Sequence, residues 1–100
     1  MTARKTFKNP ATEKVWNRIF VKRWSSQLQK KAWEEMSTLF AFAANLNQLK
    51  AIFGTDLEKL KGRRQGQHSI RVNDQFRLCF VWEAGKVYEL ELMDYHNERK

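Results

Sequence analysis

One hundred residues, 42% of them apolar, a formal charge of +8 and a pI near 9.9 suit one domain spanning residues 1–100, with little room for a deep substrate cavity, so a site is expected on an open face or in a groove. The cationic excess points to a polyanionic partner. Cys79 is the lone cysteine, which excludes an internal disulfide and a thiolate zinc site; no apolar run reaches membrane-spanning length and Met1–Phe7 is polar and basic, so a cytoplasmic protein without a membrane partner is expected.

In chain order, Arg4 to Phe7 reads as a short first strand, and Pro10 then opens a helix near its first turn. That helix is expected over Ala11–Phe20. Ser25 or Ser26 is a good N-cap for a second helix over Gln27–Asn45, in which Leu28, Ala32, Met36, Leu39, Ala43 and Leu46 follow the three/four spacing of one face, widened by Trp33 and Phe40. This aromatic stripe reads as core packing and not as a ligand pocket. From Leu49 the pattern loosens, and Gly54 ends any remaining helical turn.

Leu57 to Lys61 reads as a short strand. His68–Val72 and Phe76–Trp82 are strand runs joined by the turn residues Asn73, Asp74 and Gln75, and Val87–Asp94 follows the turn Glu83 to Lys86. Helices followed by an antiparallel meander make an α+β fold with the N-terminal helices on one sheet face. Period-two counting turns Ile70, Val72, Phe76, Leu78, Phe80, Trp82, Tyr88, Leu90 and Leu92 toward the helices. It leaves Ser69, Arg71, Arg77, Cys79, Glu89 and Glu91 on the open face. His68 falls on the core side and Cys79 reads as inert packing.

The charge is clustered. Residues 1–31 carry nine Lys or Arg against Glu13 alone, and residues 57–80 add Lys59, Lys61, Arg63, Arg64, Arg71 and Arg77 against Glu58 and Asp74. Two basic regions suggest broad contact with RNA phosphates; Lys59, Lys61, Arg63 and Arg64 are the candidate RNA-binding side chains. Metal-free cleavage of a phosphodiester needs a base for the 2′-hydroxyl, cations for the phosphorane oxygens and an acid for the leaving oxygen. Arg71 and Arg77 supply rigid donor forks, and His96, with Asp94 and Tyr95, supplies groups suited to proton transfer. Neighbours on a strand face opposite ways, so Asp94, Tyr95 and His96 converge only if the strand ends there. The plain alternative is that Arg71 and Arg77 pair across strands with Glu89 and Glu91, while His96 is solvated. His68 and His96 give no convincing metal-ligand set, no phosphate-binding glycine loop is present, and no cofactor is expected.

The series Leu60-Lys61-Gly62, the hairpin Gln67 to Arg77 and the closing Asp94-Tyr95-His96 resemble the HigB-type toxins of the RelE/ParE superfamily. The likeness extends to Glu13-Lys14-Val15-Trp16 and Lys31-Ala32. It implies a small RelE-like toxin of a type II toxin–antitoxin system, plasmid maintenance killer family, that binds the ribosomal A site and cleaves mRNA. It also implies neutralisation by a helix-turn-helix, HigA-like antitoxin. By the resemblance, Arg71 and Arg77 fall on basic active-face positions, and Asp94, Tyr95 and His96 match C-terminal active-site residues. Two departures stand out. Glu58 occupies the place where some members carry a catalytic histidine, and Arg63-Arg64 replaces an Asp-Arg pair. The ParE branch, whose members inhibit DNA gyrase without RNA chemistry, is the alternative, as is a ribosome-binding growth inhibitor with feeble cleavage.

Overall fold

The computed structural model describes residues 4–95. Helix α1 (Pro10–Trp16) begins where expected: Pro10 holds the first helical position and the side chain of Asn9 accepts from the amide of Thr12 at 2.9 Å. It stops four residues before the expected end. Arg18 adopts a left-handed conformation (φ 63°), with its amide donating to the carbonyl of Val15 and that of Ile19 to Lys14, the paired bonds that close a helix C-terminus. Trp33 holds this terminus, donating from its indole to the carbonyl of Trp16 at 3.1 Å and lying under the Arg18 guanidinium at 4.3 Å.

Helix α2 (Ser26–Phe42) is capped by Ser25, whose hydroxyl accepts from the amide of Leu28. The connection before it is fixed by buried Gln29, which exchanges bonds with both backbone groups of Val21 and donates to the carbonyl of Trp24. The expected helix through Asn45 divides here. Asn45 turns out to be a new N-cap, accepting from the amide of Gln48, and it starts helix α3 (Leu46–Phe53), which the sequence pattern did not predict.

Strands β1 (Leu57–Lys59), β2 (Gln67–Arg71), β3 (Phe76–Glu83) and β4 (Lys86–Asp94) pair antiparallel in sequential order. Asn73 shapes the β2–β3 turn by accepting from the amides of Gln75 and Phe76. Ala84 and Gly85, at φ 50° and 82°, make the two-residue β3–β4 hairpin. A Cβ at Gly85 would lie 3.3 Å from the backbone of Ala44, a tight contact, so glycine suits both the left-handed conformation and the close approach. The stripe of α2 packs on Ile70, Val72, Leu78, Phe80, Leu90 and Leu92, and the architecture is the expected α+β arrangement.

One face assignment changes. Between the pairs Cys79↔Glu91 and Val81↔Tyr88, β4 holds an extra residue, and Glu89 sits at φ 54°. This bulge shifts the alternation by one. Val87, opposite Trp82, is buried toward the helices, and Tyr88 pairs with Val81 on the other face. The expected first strand is reduced to a parallel bridge, Phe7↔Leu90, with backbone bonds linking Lys5, Thr6 and Lys8 to Glu89 and Leu90. Among the described residues no helix is long and apolar enough to cross a membrane.

Candidate active site

The sheet face away from the helices is not open at its centre. Ser69 and Cys79 are fully buried, and the Arg77 side chain is only 9% exposed. The cover comes from the Leu60–Gly66 loop. Arg64 spans β3 by reaching from Gln67 on β2 (3.0 Å) to Glu91 on β4 (3.1 Å). Lys8 adds a second cation to Glu91 at 3.8 Å, while Glu89 pairs with Arg4. Glu89 and Glu91 are therefore held by Arg64, Lys8 and Arg4, and not by Arg71 or Arg77.

Arg77 is the centre of the site. Register places Glu58 opposite Ser69, Ser69 opposite Cys79 and Arg71 opposite Arg77, so these side chains share a face. The Arg77 guanidinium donates to the Ser69 hydroxyl at 2.8 Å, lies 3.5 Å from a Glu58 oxygen and stacks 4.7 Å from the centre of the Tyr95 ring. Glu58, half exposed, closes this group on the solvent side. Arg71 stands beside it but is paired with Asp74 in the adjoining turn.

Other expected site residues are dispersed. Asp94 is the register partner of Phe76, on the helix side of the sheet end, and accepts from the Gln75 side-chain amide at 2.9 Å. Tyr95 is tied by its amide to the carbonyl of Gln75, and its ring reaches Arg77. One of the two neighbours thus meets the arginine and the other does not, as strand alternation demands. Lys59 opposes His68, whose ring stacks on core residue Phe80, so Lys59 lies on the helix side and away from Arg77. Lys61 and Arg63 are exposed, their side chains without hydrogen bonds or ion pairs among the described residues, whereas Arg64 is a structural strap over β3. His96 lies outside the described residues. Ser69 was missed by sequence reasoning; alternation set it on the right face, but nothing local signalled that its hydroxyl would hold the guanidinium.

Among the described residues, three α-helices over a four-stranded meander, with a sunken arginine on the far face, define a small RelE-like α+β protein. Residues 6–96 match the family described as HigB-like toxin, RelE-like toxin of type II toxin-antitoxin system HigB. The chain belongs to that family, and its role is that of the toxin of a type II pair with an antitoxin as partner. No curated protein matches the chain.

Proposed function

We propose that the protein is a ribosome-dependent mRNA endoribonuclease that cleaves without a metal ion and is held in check by a helix-turn-helix, HigA-like antitoxin. The observation that carries this is the Arg77 guanidinium held between Ser69, Glu58 and Tyr95. A guanidinium fixed on one side by a hydroxyl keeps its remaining donors pre-aimed, which is what stabilising a phosphorane requires. The Glu58 carboxylate rests where an incoming phosphate would dock, so substrate binding exchanges one anion for another and releases Glu58 beside the 2′-hydroxyl as a proton acceptor. Tyr95 offers a donor or a stacking surface, His96 is the side chain assigned to proton transfer, Asp94 on the helix side of the sheet takes no part, and Lys61, Arg63 and Arg71 attract the RNA backbone. Ribosomal and messenger RNA are the implied partners.

The test is translation of a defined mRNA in vitro with purified toxin, with and without ribosomes, read by primer extension beside Arg77→Met and Glu58→Gln. Codon-phased cuts that require ribosomes are expected, with Arg77→Met slower by about 10²–10³-fold, the usual loss for one oxyanion donor. Because Arg77 is sunk and already paired, a ribosome-binding inhibitor with feeble cleavage is the second reading. Intact mRNA with arrested growth would favour it, and altered DNA supercoiling would instead favour gyrase inhibition.

A further inference from the structure

On the helix side of the same sheet edge, α3 and the β1–β2 pair enclose a cavity of about 670 Å³, within the range of small-ligand sites. Leu46, Leu57 and Trp82 give it an apolar lining. The Trp82 indole N–H is spent on the carbonyl of Ala43 at 2.7 Å, so toward the cavity the ring offers apolar and π surface. Lys50 and Lys59 line the same cavity and have no anionic partner among the described residues. His68 completes the wall, its ring stacked on Phe80, with a buried Nδ1 that has no hydrogen-bond partner among the described residues. Burial, then Lys59 and Lys50, hold the His68 pKa below the ordinary value, so the ring is neutral, and with Nδ1 buried its Nε2 is the nitrogen left to a ligand.

A flat aromatic wall, a neutral group able to read a base edge and two unpaired ammoniums together match the chemistry of a nucleotide: base, sugar and phosphate. We propose that this cavity binds one nucleoside monophosphate unit, its base against Trp82 and His68 and its phosphate between Lys50 and Lys59. Glu58 and Lys59 are neighbours on an edge strand and face opposite ways. An RNA strand crossing that edge would leave one nucleotide at Arg77 and another in the cavity, an extension that rests on the cleavage reading above. The occupant is then either a unit of an RNA chain or a free nucleotide.

Titration of the ¹⁵N-labelled toxin with each of the four nucleoside monophosphates, and with a short single-stranded RNA, separates these sources. The His68 ring and Trp82 indole resonances are expected to move with nucleotide. A chain-reading site binds the RNA at least about tenfold tighter than any monophosphate, because further phosphates are engaged; equal affinities identify a free nucleotide as the ligand. Lys50→Glu/Lys59→Glu should weaken binding by about tenfold or more while the thermal midpoint stays in place. Resonances unmoved at millimolar nucleotide, or unchanged affinity in the double variant, overturn the proposal. Codon-phased cleavage is scored separately on the same preparation: cuts without these shifts remove the cavity site and leave the nuclease reading, and shifts without cuts uphold the site in a toxin that does not cleave.

Discussion

Arg77 has two roles that a single substitution would confuse, because it holds the buried hydroxyl of Ser69 as well as the candidate phosphate position. Arg77→Met keeps the unbranched stem and removes the guanidinium. It leaves the fully buried Ser69 hydroxyl without its partner, which costs about 1–3 kcal/mol. Loss of the stacking on Tyr95 adds about 0.5–1 kcal/mol, and loss of the half-exposed Glu58 pair adds at most a few tenths. Arg77→Met should therefore lower the thermal midpoint by roughly 4–8 °C per kcal/mol in a domain of this size. Adding Ser69→Ala removes the orphaned hydroxyl, and the double variant should recover about 1–2 kcal/mol of that loss. Urea unfolding followed by tryptophan fluorescence gives the full cycle with Ser69→Ala alone, while growth arrest on induction gives activity. The double variant is expected to fold well and remain non-toxic. Recovery of both stability and toxicity would show that Arg77 only props up the fold; an Arg77→Met variant as stable as the parent would show that the Ser69 bond contributes nothing.

Other outcomes follow from buried groups. Burial lifts the Glu35 carboxyl from 4.5 to about 7, with Lys31 opposing and Asp56 and Glu34 assisting. The native state then holds a proton that the unfolded chain releases, so this contribution, complete below pH 4.5, is lost as pH rises through 7. Solvent screening at this half-buried site leaves about 1 kcal/mol. Glu35→Gln should flatten that slope in urea titrations and raise stability at pH 8; a parallel pH curve would contradict this. His68 works in the other direction. Its lowered pKa gives stability that is present above 6.5 and lost as acid charges the ring, so His68→Phe should lose less stability than the parent between pH 7.5 and pH 5.5, the Glu35 contribution being common to both; identical pH curves would contradict this. Thr12 is buried, and its hydroxyl donates to Asn9 and accepts from the amide of Leu92. Thr12→Val should cost about 1–3 kcal/mol, read as a lower urea midpoint with unchanged slope.

The fold was legible where one period ran uninterrupted. Leu28 through Ala43 on α2 and Phe76 through Trp82 on β3 kept their spacing, and their faces came out as the pattern required. It failed where a single residue changed the phase. The bulge at Glu89 exchanged Val87 for Tyr88, and a bulge residue has no period of its own. Asn45 looked like the tail of a helix until its side chain proved to cap the next one, and the apolar spacing that runs on through Leu46 hid the break. The burial of Arg77 was invisible for a related reason. Alternation fixed its face, but the cover over that face is a loop strapped down by Arg64 and Glu91, residues 27 positions apart. Asp94 and Tyr95 diverged as alternation predicts, so adjacency in sequence overstated their closeness in the site.

The bond from the amide of Leu92 to the Thr12 hydroxyl joins residues 80 positions apart, and Lys5, Thr6 and Lys8 complete the edge of the same strand. During synthesis, α1 leaves the ribosome long before β4 exists. Until β4 arrives, Phe7 and Val15 lack their place in the core. On the reading proposed above, the far side of β4 carries the last of the chemistry, with Tyr95 beside Arg77. A nascent chain of this toxin would thus pass through its own ribosome before that ribosome could become a target, the order of its folding serving as a delay on its first act.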